Sequence, residues 1–149
     1  MPKKSLSVVN DRSSNILVTL KKDGFRLTKV RKALIEILGQ TISPLSAFEL
    51  LELLKTYDLV VNKTTVYREL EFLLINKVIL ELDLLDGMKR YELIDEGHHH
   101  HLVCTLCRKI QCIGMKHDLD HLEQNISQQY SFQIESHVLE FFGRCLACQ

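Results

Sequence analysis

The sequence predicts an α+β protein in two parts: a winged helix-turn-helix unit, then a small α+β unit closed on a metal. Three observations predict it. Apolar residues recur with helical spacing in four short runs between residues 14 and 75, after which the spacing becomes that of a β-hairpin. All seven histidines and all five cysteines lie after position 97. Four of those cysteines form two C-x-x-C pairs, Cys104/Cys107 and Cys145/Cys148, a metal-ligand spacing.

Residues 14–22 place Ile16, Leu17 and Leu20 on one face, with Gly24 ending the helix. Thr28 is the expected N-cap of the second, where Val30, Ala33, Leu34, Ile37 and Leu38 form an apolar stripe and Gly39 is the expected stop. Ser46 and Glu49 make a capping box for the third, with Leu50, Leu51, Leu53 and Leu54 inward. Asn62 caps the fourth, which turns Val66, Leu70, Leu73 and Leu74 to the core. Its outer face carries Thr64, Thr65, Tyr67 and Arg68. After Asn76, alternation predicts a strand, Asp86 and Gly87 a type I′ turn, and Met88 to Leu93 the return strand.

Helices followed by a hairpin follow the winged-helix order, in which the helix before the wing enters the major groove. Thr64, Thr65 and Tyr67 can bond phosphates, and Arg68 can grip a phosphate or guanine. Arg26, Lys29 and Arg31 lie on or before the second helix, in reach of a backbone or the minor groove. The competing reading of the outer face is an ordinary solvated helix surface. Residues 1–90 hold 15 Lys and Arg against 11 Asp and Glu, a net +4, while residues 91–149 are −4. A charge of +4 is small for a nucleic-acid binder, so affinity would rest on local placement and a dimer. The expected boundary gives a winged unit over 1–93 and a metal-binding unit over 94–149.

In the second unit, Leu102 to Ile113 is expected to be continuous strand, Asp118 to Tyr130 a helix, and Phe132 to Phe142 a strand. Four soft thiolates suit tetrahedral zinc, and the 37 residues between the knuckles let the metal staple the unit's end to its start. The bland alternative is two unrelated cysteine pairs in a core. Residues 98–101 are four consecutive histidines. In extended chain His99 and His101 point one way, His98 and His100 the other, so one run can feed two sites. Glu92, Asp120 and His137 are carboxylate and imidazole donors of the kind that take Fe2+, Mn2+ or Zn2+. A solvated polar loop and a purification tag are the competing readings of the histidine run.

The 149 residues include 46% apolar and 26% charged, a globular composition. Neither a membrane-length apolar run nor a signal peptide is evident, so a cytoplasmic location is expected, where thiols stay reduced. No membrane partner or small organic substrate is expected.

T-T-V-Y-R (64–68), Y-E-L (91–93), H-H-H-H-L-V-C-T-L-C (98–107) and G-R-C-L-A-C (143–148) together resemble the ferric-uptake-regulator (Fur) family, over about Gly24 to Cys148. The resemblance implies a dimeric, metal-dependent repressor that binds duplex DNA and has a C-terminal dimerisation domain. It implies structural zinc on Cys104, Cys107, Cys145 and Cys148. It implies a sensing site of Glu92, His99 and His101, with Cys112 standing where a carboxylate is common. A second site of His98, His100, Asp120 and His137 follows, as do DNA contacts from Tyr67, Arg68 and Arg26. Three departures bear on the metal: Pro44 stands where iron sensors usually have a histidine, a Cys112 thiolate favours zinc, and His100 stands where an aspartate is common in the second site. The ends L-E-F-L-L (70–74) and G-R-C-L-A-C are similar to those of zinc-uptake regulators, and a peroxide sensor is a further alternative. Outside the family, His121, Glu123, Cys145 and Cys148 faintly echo a zinc deaminase, without the proline before Cys145. A zinc-stapled interaction module with no regulated metal is the third reading.

Overall fold

The computed structural model describes residues 6–85, 87–94, 99–114, 119–135 and 137–149, with side chains from Arg12 onward. The chain divides into two compact units, the first ending at Ile94 and the second beginning at Asp95.

In the first unit, α1 (Leu6–Lys22), α2 (Lys29–Gln40), α3 (Ala47–Leu54) and α4 (Lys63–Ile75) precede the hairpin of β2 (Ile79–Asp83) and β3 (Lys89–Leu93). A two-residue strand, β1 (Leu45–Ser46), pairs with β3, giving an antiparallel sheet in the order β1-β3-β2. The caps form as local chemistry dictates. Thr28 Oγ1 accepts from Arg31 N at 3.1 Å and Asn62 Oδ1 from Thr65 N at 2.8 Å. Ser46 and Glu49 complete a reciprocal capping box. Leu34, Ile35, Leu50, Leu54, Val66, Leu70, Leu73 and Ile79 fill the core.

This unit differs from the sequence expectation in three places. Gly39 does not stop α2, which runs to Gln40; it packs against Ser13 of α1. A Cβ there would lie 2.1 Å from Ser13 Oγ, and that buried hydroxyl donates to Ile35 O at 3.3 Å. The wing is not a two-residue hairpin. Asp83 pairs with Lys89, so the loop spans 84–88, with Leu85 and Gly87 both at positive φ; Asp86 is outside the described residues. Arg31 is not a surface cation. It is buried, its Nε donates to Glu69 Oε2 at 2.7 Å and its Nη1 to Arg26 O at 2.7 Å. Its guanidinium lies 3.4 Å over the Phe72 ring, so it ties α2 to α4.

The second unit is built on a sheet of order β5-β4-β6, from β4 (His100–Cys104), β5 (Ile110–Ile113) and β6 (Glu140–Gly143). The helix α5 (Asp120–Tyr130) connects β5 to β6, and a 3-10 turn over Leu146–Cys148 ends the chain. Leu102 and Ile110 do not share one continuous strand: the Cys104–Cys107 knuckle reverses the chain, and β4 and β5 pair antiparallel. Strand β6 pairs parallel to β4 and covers only the last part of the expected 132–142 strand. The expected start of α5, Asp118, and Ser136 of the predicted strand lie outside the described residues. Among the described residues, no helix is long and apolar enough to cross a membrane.

Candidate metal centres and nucleic-acid interface

The parallel register of β4 and β6 assembles the thiols. Cys104 and Gly143 are Cα partners, so the chain beyond Gly143 delivers Cys145 beside Cys104. Thr105 anchors this end, its N–H and its hydroxyl both donating to Gly143 O, at 2.8 and 3.1 Å. The Sγ atoms of Cys104, Cys107, Cys145 and Cys148 all lie within 4.8 Å of one another. None of the five cysteines, all described, is in a disulfide. Cys107 Sγ and Cys145 Sγ are 3.7 Å apart. A tetrahedral zinc with Zn–S near 2.3 Å requires sulfur–sulfur edges of about 3.8 Å, whereas a disulfide needs about 2.05 Å. The donor set therefore fits zinc.

The backbone prepares one of these ligands. N–H donors from Cys107, then Cys145 and Leu106, hold the Cys104 thiol down to about 6. The Cys145 N–H lies 3.4 Å from its sulfur. Cys148 is pushed up to about 12, chiefly by the thiol hydrogen bonds with Cys145 and Cys107. The backbone donors thus favour the thiolate of Cys104, while the thiol hydrogen bonds favour the protonated form of Cys148, whose proton a metal would displace.

A second cluster lies on the same sheet. His101 and Cys112 are Cα partners across β4 and β5. The donor atoms of His99, His101 and Cys112 lie within 4.8 Å of one another. The His99 and His101 rings are 5.2 Å apart and nearly perpendicular. His101 is only 2% exposed, and its Nδ1 is 3.1 Å from Glu140 Oε1. A carboxylate on one ring nitrogen is the arrangement that orients the other toward a metal. Imidazole, imidazole and thiol suit a borderline divalent ion. Glu92 is half-buried on β3 of the first unit, opposite Leu80. Pro44 is fully buried in that unit, and its carbonyl accepts from Arg90 Nη1 at 3.3 Å.

On the opposite side of the alternation, the His100 and His137 rings are 5.7 Å apart. His100 Nδ1 is 3.1 Å from Leu139 O. The carboxylate beside His137 is Glu123, with Oε1 2.6 Å from Nδ1. Asp120 opens α5 and is exposed. His98 is outside the described residues. Sequence alone does not single out Glu123 and Glu140 as partners of these rings. Only a chain fold that sets 123 beside 137, and a parallel register that sets 140 beside 101, reveals them. His121 is exposed on α5, and Cys145 and Cys148 stand with the other two thiols rather than in a deaminase set.

The outer face of α4 is as expected with one exception. Thr64, Tyr67 and Arg68 are exposed, Tyr67 by 44%, with Lys63 Nζ 5.5 Å over its ring. Thr65 is half-buried and donates its hydroxyl to Asn62 Oδ1 at 2.9 Å, so it serves the cap. Arg26 is exposed ahead of α2.

A winged helix-turn-helix unit joined to a sheet carrying thiol and imidazole clusters defines the class: a metal-responsive transcriptional regulator. The model of the Ferric uptake regulator family matches residues 22–142. The Ferric uptake regulation protein of Bacillus subtilis (strain 168) is 34% identical over 144 residues, covering 94% of this chain and 96% of that one. The Peroxide operon regulator of the same strain is 29% identical over 132 residues, covering 89% and 90%. The solved ferric uptake regulator Fur of Helicobacter pylori has the same fold, with TM-score 0.77, 24% identity, and 94% and 93% of the two chains covered. The chain belongs to the ferric uptake regulator family.

Proposed function

We propose that the protein is a repressor of metal-homeostasis genes that binds a palindromic duplex operator as a homodimer when metal-loaded. The observation that carries this reading is the presence of two chemically different donor clusters on one small sheet: four thiols at one end, imidazoles with a thiol further along. A four-thiolate set holds zinc tightly and permanently, whereas a mixed set exchanges its ion. In this reading residues 1–93 bind DNA and residues 94–149 dimerise.

Cys104, Cys107, Cys145 and Cys148 hold the structural zinc, which supplies a cross-link between the two ends of the second unit. His99, His101 and Cys112 hold the sensed ion. Glu92 is assigned as their fourth donor on the family resemblance, which ties the sensing ion to the end of the wing. His98, His100, Asp120 and His137 form a second site by the same resemblance. Thr64, Tyr67 and Arg68 approach the major groove and Arg26 the minor groove, while Thr65 holds the start of α4. Metal then favours one arrangement of the recognition helices, and the coupling needs only that the ion bind that arrangement better. No catalytic step is assigned. A cytoplasmic location and the lack of a membrane or small organic partner belong to the same reading.

The sensed ion is Fe2+, Zn2+ or Mn2+. The Cys112 thiol in the donor set and the proline at position 44 favour a zinc-uptake regulator over an iron sensor. Metal counting tests the proposal. The expected result is one zinc per chain that survives mild chelation, plus at least one ion that does not. A single tightly held zinc, with nothing bound after re-addition of any of the three ions, would make the protein a zinc-stapled interaction module.

A further inference from the structure

Glu140 belongs to neither cluster that could hold a metal, yet both of its carboxylate oxygens engage His101. The parallel pairing of β6 on β4 makes it the Cα partner of His101. One carboxylate oxygen accepts the backbone N–H of His101 at 3.0 Å, and the other faces His101 Nδ1 at 3.1 Å. The Glu140 side chain is 11% exposed and the His101 ring 2%. The pair is therefore held away from water with both carboxylate oxygens engaged on one residue.

That geometry has a chemical consequence. A carboxylate only accepts hydrogen bonds, so the nitrogen facing it must carry the hydrogen. The imidazole is then an Nδ1–H tautomer, with its lone pair on Nε2. We propose that Glu140 is a positioning residue for the sensed divalent metal, fixing His101 in the tautomer and ring orientation that direct Nε2 to the ion. The proposal rests on the sensing-site reading above, through His101.

The substitution that distinguishes this role from packing is Glu140→Gln. Glutamine has nearly the same shape, but only one of its two terminal atoms accepts. The backbone N–H of His101 can only donate, so it claims the amide oxygen. The amide NH2 then faces Nδ1, which must become the acceptor, and the hydrogen moves to Nε2. The ligand atom is lost although the volume is kept. Glu140→Ala leaves room for water, which can accept from Nδ1–H, so it does less harm. A packing role predicts the opposite order, with alanine worse than glutamine.

The test uses the full chain with its zinc in place, titrated with Co2+ and followed by visible absorption. His101→Ala serves as the reference variant, and zinc per chain is counted throughout. Expected is a loss of Co2+ affinity of about 10–100-fold for Glu140→Gln, the range for outer carboxylates of metal-bound histidines. A smaller loss is expected for Glu140→Ala, with the zinc count unchanged. In the metal-free sensing site at pH 8, nitrogen-detected NMR should find the His101 hydrogen on Nδ1 in the parent protein and on Nε2 in Glu140→Gln. If His101→Ala weakens Co2+ binding but Glu140→Gln leaves both affinity and tautomer as they were, the role of Glu140 is overturned and the sensing site stands. If His101→Ala leaves Co2+ binding intact, the sensing site itself is wrong, and this inference falls with it.

Discussion

Replacing Cys104 with serine is expected to release the structural zinc and unfold the sheet of the second unit. The reason is how little else holds that unit within one chain. Among its described residues only Val103, Cys104, His100 and His101 are buried, and α5 buries none. Too small a core needs a staple. Structural zinc contributes an apparent 10–16 kcal/mol in small domains, which exceeds or matches the roughly 5–15 kcal/mol that holds a typical domain together. Cys104 is the most consequential of the four. It is the buried one, the thiol already lowered to about 6, and the sulfur that receives the Cys145 N–H. The expected outcome is no zinc by metal analysis and fast amide exchange along β4, while the helices of the first unit still melt cooperatively. A Cys104→Ser protein that kept both its zinc and the protection of β4 would contradict the assignment.

Arg68→Ala is expected to weaken duplex binding without weakening the fold. Arg68 is exposed on α4, whose buried face is carried by Val66, Leu70 and Leu73. A guanidinium reading a base edge accounts for about 1–3 kcal/mol, or roughly 5- to 150-fold in Kd. A guanidinium on a phosphate instead lowers the salt dependence of binding by about one ion. The probe is a duplex selected from random sequence by the metal-loaded protein, and the readouts are its Kd at several salt concentrations and the Tm of the variant. Unchanged affinity and salt dependence at unchanged Tm would remove α4 from the DNA interface. Tyr67→Ala on the same turn should act in the same direction.

Features set by near neighbours in the chain are legible from the residues alone. Thr28, Ser46 and Asn62 each cap the helix that follows, because a cap needs only its own backbone three residues on. The two C-x-x-C knuckles are legible because their residue types serve few other ends. The alternation of His99 and His101 against His100 follows from strand geometry and holds. Features set by distant partners are not legible. Gly39 reads as a helix stop because nothing local reveals that Ser13 crosses there. Arg31 reads as a surface cation because its partners, Glu69 and Phe72, lie on another helix. Residues 102–113 read as one strand because the knuckle's reversal is a property of the folded thiol cluster, not of hydrophobic pattern. Glu123 and Glu140 become visible only with the tertiary placement of His137 and His101.

Under the proposed sensing site, Pro44 and Cys112 are the departures from the iron-sensor pattern that bear most on the choice of ion. Pro44 offers a buried ring where a ligand is expected, and Cys112 offers sulfur where oxygen is expected. Under that proposal the loss of an imidazole at position 44 argues against the iron-sensor donor set, and the Cys112 sulfur favours an ion that tolerates thiolate.

In the proposed function, filling the exchangeable site switches DNA binding while the zinc at the four cysteines stays in place. The direct measurement is the Kd for the selected duplex, taken with zinc-stapled protein, first without further metal and then titrated with Zn2+, Fe2+ and Mn2+ in turn. Allosteric coupling of about 1–3 kcal/mol predicts a roughly 5- to 150-fold gain with at least one ion, Zn2+ being the expected one, and its loss in His101→Ala. Equal affinity with and without every ion would contradict it.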